Sequence, residues 1–291
     1  MNGPALLSWA ATELLDPQGR SLAAAVRWLP LTVPGIPGQE QWPVAVLGEG
    51  PPLLLLHGFD SSLLEFRRLA PLLAQYHQLW IPDLCGFGFG PRPPGLAYGP
   101  PLVIAQLQAL LAAMPPGPVG LIGASMGGAV AVVLARELQQ QQPGRFSRLL
   151  LLAPAGLTGQ PLPLPPLLDK LGVAFLALPA VRRGLCRQAF ADPSSSVGAA
   201  EEQIASLQLH TPGWAAALAR FARSGGFAGV GAPLPNLPIQ VLWGSNDRIL
   251  RGPQRRAAQQ LLGAPGEELQ ACGHLPHLDQ AALVAQRWRQ P

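Results

Sequence analysis

The chain has 291 residues, 48% hydrophobic and 12% charged, with a formal net charge of +4. That composition supports one large core in a lone α/β domain with room for an insertion, and leaves a surface poor in charge, which favours a greasy substrate or a membrane surface. Lys170 is the only lysine, and the arginines are scattered with no basic run among aromatics, which argues against a nucleic-acid partner.

Residues 1–17 lack the basic start and cleavage site of a signal peptide, and no apolar run approaches the roughly 18 residues of a membrane span. The three cysteines, Cys85, Cys186 and Cys272, are odd in number and widely spaced, so reduced thiols and a cytoplasmic setting are expected. Leu6, Leu7, Trp9, Ala10, Leu14 and Leu15 mark an apolar helical face. Residues 23–31 and 42–47 read as strands split by a proline-glycine turn. Leu53-Leu54-Leu55-Leu56 is wholly apolar, as a strand buried on both faces requires, and it ends at His57-Gly58-Phe59-Asp60.

A helix is expected over 62–75, with Ser61 or Ser62 as its cap and Glu65 at capping-box distance from Ser62. The strand 79–81 leads into Asp83-Leu84-Cys85-Gly86-Phe87-Gly88, where Asp83 reads as part of a glycine-shaped turn and not as a catalytic acid. A helix over 101–113 begins with proline near its first turn. Gly123-Ala124-Ser125-Met126-Gly127 follows the apolar run 119–122 and precedes a helical pattern over 128–142. Such a strand, tight turn and helix needs glycines for close approach and leaves an exposed hydroxyl at the positive end of a helix. Residues 146–153 form the next strand.

The alternation stops over 154–238. Proline-leucine stretches open and close this segment, and helix-like patterns lie at 167–177, 199–209 and 214–223. It reads as an inserted helical cap above the carboxyl ends of the strands, where open α/β sheets bind ligands. Leu168 and Phe175 are its candidate substrate contacts, and Arg182, Arg183 and Arg187 read as surface charges. Strand 239–243, helix 254–262, strand 267–271 and helix 276–289 complete the chain. The expected fold is α/β, a mostly parallel central sheet flanked by helices. Its core is formed by 1–153 and 239–291, with the cap over 154–238.

A serine hydroxyl needs a base to become a nucleophile. His274, just past the last strand, is the candidate. His277 would sit in the first turn of the following helix and take a supporting or packing role. Asp247, after the strand ending at Trp243, is the group expected to orient the imidazole. The order Ser125, Asp247, His274 matches neither major serine-protease arrangement. A developing oxyanion needs two backbone N–H groups, assigned to Met126 and Phe59, while His57 braces its loop.

On His57-Gly58-Phe59-Asp60, Gly123-Ala124-Ser125-Met126-Gly127-Gly128, Trp243-Gly244-Ser245-Asn246-Asp247-Arg248 and Gly273-His274-Leu275-Pro276-His277-Leu278-Asp279, the chain resembles the α/β-hydrolase superfamily along nearly its whole length. The resemblance implies an α/β-hydrolase fold. The serine at the turn sets the chain apart from the haloalkane dehalogenases and related epoxide hydrolases, which carry aspartate there. More narrowly, 57–67 and 83–88 resemble the plant and cyanobacterial branch that includes chlorophyll dephytylase. That resemblance implies hydrolysis of the phytyl ester of chlorophyll and contact with the thylakoid membrane through the cap.

The expected activity is cleavage of a small lipophilic carboxylic ester, with no metal or organic cofactor. Two alternatives stay open at this point. One is carbon–carbon bond hydrolysis or cofactor-free perhydrolysis on the same triad; the other is a ligand-binding protein on a hydrolase fold. Oligomeric state is not set by these residues.

Overall fold

The structure is a computed structural model that describes residues 1–250 and 252–290. Arg251 and Pro291, within the expected last core segment, lie outside the described residues. The chain opens with α1 (Gly3–Glu13) and α2 (Pro17–Ala24). Asn2 caps the first, and Asp16 caps the second by accepting from the Gln18 and Gly19 N–H groups. Leu6, Leu7, Ala10 and Leu14 are buried as the apolar face requires, whereas Leu15 is exposed.

Then come β1 (Val26–Leu31), β2 (Glu40–Leu47), β3 (Pro52–Leu56), a 3-10 turn (Leu63–Phe66), α3 (Ala70–Leu73), β4 (Gln78–Pro82), α4 (Pro100–Ala113), β5 (Val119–Ala124), α5 (Met126–Gln141) and β6 (Phe146–Leu152). The chain then leaves the sheet for α6 (Leu168–Leu176), α7 (Pro179–Ala189), α8 (Pro193–Ser196), α9 (Ala199–Leu207) and α10 (Trp214–Arg223). It returns as β7 (Ile239–Gly244), α11 (Gly252–Leu262), β8 (Glu267–Leu269), α12 (Pro276–Asp279) and α13 (Ala281–Arg289).

The eight strands form one sheet in the order β1-β2-β4-β3-β5-β6-β7-β8. Only the β1–β2 and β2–β4 pairings are antiparallel. This is an α/β-hydrolase fold. Leucines alternate across the central strands and feed two cores. Leu54 and Leu56 of β3, with Leu149 and Leu151 of β6, pack on the face covered by α4 and α5. Leu53, Leu55, Leu150 and Leu152 pack on the face covered by α1, α3 and α13. Strands buried on both faces read as unbroken apolar runs for this reason. Among the described residues no helix is long and apolar enough to cross a membrane.

Three local expectations change. The helix over 62–75 is broken into the 3-10 turn and the four-residue α3. Pro71 sits at the start of α3, where its missing N–H is harmless, so it begins a new helix and does not continue the old one. Ser62 makes no side-chain cap bond: the Glu65 N–H donates to the Ser62 backbone carbonyl at 2.9 Å, and the Leu63 N–H donates to Asp83 Oδ1 at 2.7 Å. The helix over 276–289 is broken at Gln280. Helix α7, unmarked in the sequence pattern, starts with Pro179 at its first position and carries Gly184 inside it, which hid its periodicity.

Candidate active site

The loops that follow β3, β5, β7 and β8 meet at one edge of the sheet, under the cap helices. Ser125 stands at the turn between β5 and α5 with φ 51° and ψ −121°, a conformation rare for a residue with a side chain. Close approach on both sides holds it there. A Cβ on Gly123 would lie 2.3 Å from the Gly127 carbonyl oxygen, and one on Gly127 would lie 2.1 Å from that of Leu56. The Ser125 N–H donates to Leu152 O at 2.9 Å, tying the turn to β6.

His274 Nε2 lies 2.8 Å from Ser125 Oγ, and its Nδ1 lies 2.8 Å from Asp247 Oδ2. Asp247 Oδ1 accepts from the N–H groups of Ile249 at 2.8 Å and Leu250 at 2.9 Å. Burial would raise the Asp247 carboxyl, but the His274 bond and these two amides hold it below its ordinary value. An ionised Asp247 accepts from Nδ1–H, which leaves Nε2 to accept the serine proton. Serine, imidazole and carboxylate, 149 and 27 residues apart in the chain, thus touch in sequence.

The loop after β3 lies beside the serine. A Cβ on Gly58 would be 3.3 Å from Ser125 Cβ. Phe59 follows it, with its ring partly exposed and edge-on to Phe87. Met126 opens α5, so its amide is among those with no partner inside the helix, and its side chain is buried in the core. His57 braces the loop: its Nε2 accepts from the Leu84 N–H at 3.0 Å and its Nδ1 lies 2.8 Å from Gly58 O. Burial pushes this imidazole below its ordinary pKa, consistent with a neutral ring carrying its proton on Nδ1. Asp83 is fully buried and accepts from Leu63 N–H and Phe89 N–H, both at 2.7 Å, as a turn-shaping group does.

Several groups at the site were not singled out by sequence. Glu65 is no helix cap. It faces the Gly58 N–H at 3.3 Å and lies 2.9 Å from His277 Nε2, although neither ring nitrogen of His277 lines up for a good hydrogen bond. Burial raises the Glu65 carboxyl, but His277 outweighs it and draws the group down to about 2. Glu65 and His277 therefore join the Phe59 loop to the His274 loop beneath the site.

Asp60, with φ 49°, is gripped from three cap elements. Its carboxylate accepts from Arg182 of α7, from Gln208 Nε2 at 3.2 Å and from Trp214 Nε1 of α10 at 2.8 Å. Burial raises the Asp60 carboxyl against the pull of Arg182 and Trp214. Arg182 is thus buried, not a surface charge, and its Nε has no hydrogen-bond partner. The His274 loop is also tied to the cap. The His274 N–H donates to Ala189 O at 2.8 Å, and Asp279 Oδ2 accepts from Gly273 N–H at 2.6 Å and Ala191 N–H at 2.9 Å.

A cavity of about 310 Å³ opens above Ser125 and His274. Leu176, Leu185 and Phe190 of the cap line it, with Ile204 and Leu278. Its charged lining is Asp60, Glu65, Arg67, Arg182 and Glu201. Leu168 and Phe175, expected there, do not line it. They sit on the outward side of α6 and are exposed, while Leu176 faces in. Both sides of α6 are apolar, so its inward side could not be chosen from composition.

The profile of the family described as "Alpha/beta hydrolase family" matches residues 53–287. The alpha/beta hydrolase domain-containing protein VTE7 of Arabidopsis thaliana is 28% identical over 293 aligned positions, spanning 95% of this chain and 86% of that protein. That a plant relative aligns over most of both chains agrees with the resemblance to the plant branch. The 2-hydroxy-6-oxo-2,4-heptadienoate hydrolase of Pseudomonas putida is 33% identical over 115 residues, which is 38% of this chain and only 40% of that enzyme's length. Among solved structures, the ligand-free epoxide hydrolase CorEH superposes with a TM-score of 0.72 at 20% identity, covering 90% of this chain and 97% of that one, a likeness of fold.

Proposed function

The chain belongs to the alpha/beta hydrolase family, and we propose on that premise that it is a serine hydrolase that cleaves a lipophilic carboxylic ester. The observation that carries the proposal is the pair of 2.8 Å contacts from His274, one to Ser125 Oγ and one to Asp247. In the first half-reaction Nε2 takes the serine proton as Oγ attacks the ester carbonyl. The Phe59 and Met126 N–H groups receive the oxyanion, His274 passes the proton to the departing alcohol, and an acyl-enzyme remains. Water then repeats the sequence and releases the acid. Asp247 steadies the imidazolium at both stages.

The charge of the cavity favours an ester over a vinylogous keto acid. Its carboxylate-bearing residues, Asp60, Glu65 and Glu201, outnumber Arg67 and Arg182, and Arg182 is already paired with Asp60. An anionic substrate of the kind named for the Pseudomonas relative would meet no unbalanced cation there. At about 310 Å³ the cavity is at the small end for ligand sites, so it holds the ester and part of one apolar chain, with the rest of the substrate outside. Within this class the phytyl ester of chlorophyll is the substrate to which the plant-branch resemblance points.

Ser125→Ala tests the reading. It should abolish both turnover and labelling by a fluorophosphonate probe while leaving the melting temperature near that of the parent. Labelling that persists unchanged removes Ser125 from the mechanism. A panel of short, long-chain and phytyl esters beside keto-diene acids identifies the substrate. Tight saturable binding with no turnover across that panel would favour the ligand-binding alternative.

A further inference from the structure

We infer that the outer face of the cap is a docking surface for a lipid bilayer containing anionic lipid. Among the described residues thirteen large apolar side chains are exposed, and eight of them fall between Leu162 and Leu185. Leu168, Leu171, Phe175 and Leu178 recur at steps of three and four, one stripe along α6 into the start of α7. Leu162 and Leu167, 80% and 65% exposed, extend it into the preceding proline-rich strand of chain. Single exposed leucines are ordinary on a protein surface, but eight within one short segment, four of them at helical spacing, mark a contact with another apolar phase.

The charges select the occupant. Asp169 is the only acidic residue between 161 and 191, and Arg223 covers its side chain through bonds of 3.0 and 2.5 Å. Lys170 and Arg187 are exposed, as is nearly half of the Arg223 side chain. The face therefore offers apolar surface and cations, with its one carboxylate turned in. Two copies docked through the same patch would bring like charges together, whereas an anionic leaflet neutralises them. Long basic side chains also keep their heads among lipid headgroups while leucines sit below.

The geometry links the surface to the cavity. Leu176 of α6 and Leu185 of α7 line the chamber above Ser125, on the same two helices that carry the outer stripe. This deepens the proposed function by naming the substrate class as an ester held in a bilayer, and it rests on that reading only for the substrate.

The test separates docking from catalysis by using the Ser125→Ala protein in co-sedimentation with phosphatidylcholine vesicles, with and without phosphatidylglycerol. Binding is expected to the anionic vesicles, falling with salt, and weaker to the neutral ones. Leu171→Asp with Leu178→Asp should weaken it by roughly tenfold or more. In the otherwise native chain the same pair should leave melting temperature and hydrolysis of a soluble short ester unchanged. Failure to sediment with either vesicle overturns the inference, as does binding indifferent to the paired substitution. So does light scattering that shows a dimer which the substitutions dissociate, since a second copy then covers the face. Absence of ester hydrolysis by the unsubstituted chain would instead sink the hydrolase reading and leave the docking result standing.

Discussion

Replacing Asp60 by Asn asks whether the cap holds the Phe59 loop in place. Asn tolerates a positive φ as well as Asp does, so backbone strain is unchanged and only charge and hydrogen bonding are altered. The amide oxygen can still accept from Trp214 Nε1, but the amide nitrogen then faces the Arg182 guanidinium, donor against donor. Both side chains are more than nine-tenths buried, at 5% and 8% exposure, so solvent screens the lost attraction little. Removing one partner of a buried ion pair costs about 3–5 kcal/mol. Arg182 keeps its bond to the Ala205 carbonyl, which places the expected loss near the lower end of that range.

If cap and core melt together, a loss of about 3 kcal/mol lowers the melting temperature by roughly 6 °C. If the cap undocks alone, the same energy raises its open population about a hundredfold, read as faster proteolysis within 154–238. Turnover of a short soluble ester should fall by about ten- to a hundredfold in kcat, with KM little changed. Loss of an oxyanion donor costs about 10²–10³ in a studied hydrolase, and Glu65 still faces the Gly58 N–H here. Adding Arg182→Met removes the stranded cation and should restore most of the stability. A single variant that melts within about 1 °C of the parent, resists protease equally and keeps its kcat would refute the argument that Asp60 couples cap to loop.

Asp247→Asn should leave the fold intact and lower kcat by about 10³–10⁴, since the amide can no longer hold the imidazole with its proton on Nδ1; steady-state ester kinetics measure this. Gly127→Ala would press a methyl to within 2.1 Å of the Leu56 carbonyl oxygen and 2.7 Å of that of His57, both backbone atoms. It should cost about 1–3 kcal/mol or more and slow probe labelling of Ser125, and unchanged labelling would show that the turn can relax. Burial raises the Asp83 carboxyl to about 7, so the folded chain keeps a proton that the unfolded chain releases above its ordinary 3.8. The stability from this group is full below pH ~4 and is lost as pH rises through ~7. Asp83→Asn sets an amide NH₂ against one of two N–H donors, costing about 1–3 kcal/mol, and the gap between parent and variant melting temperatures should narrow from pH ~5 to ~8.

That Ser125, Asp247 and His274 would meet was legible because each follows a strand that its own sequence announces. The apolar run before Ser125, the strand ending at Trp243 and the short strand before His274 all deliver their residues to one edge of the sheet. A parallel topology leaves them little choice. The connections around them were not legible. Arg182 and Asp60 are 122 residues apart, and nothing near either position signals the other. Glu65 satisfied a local capping rule, yet a buried N–H at Gly58 and the His277 imidazole competed for its carboxylate and won. Leu168 and Phe175 fell on the outward side of α6 because that helix has large apolar residues on both its inward and outward sides, and only tertiary packing tells inside from outside.

The cap is moored at the corner that bears His274. Ala189, the last residue of α7, accepts from the His274 N–H, and Ala191 just beyond it shares the Asp279 carboxylate with the Gly273 N–H. A Cβ on Gly273 would come within 2.4 Å of the Ala189 oxygen, so this seam is too close-fitting to slide. Any motion that widens the cavity mouth while leaving the imidazole aimed at the serine has to pivot there, as a shutter turns on its fixed jamb. The gap would open farthest from that jamb.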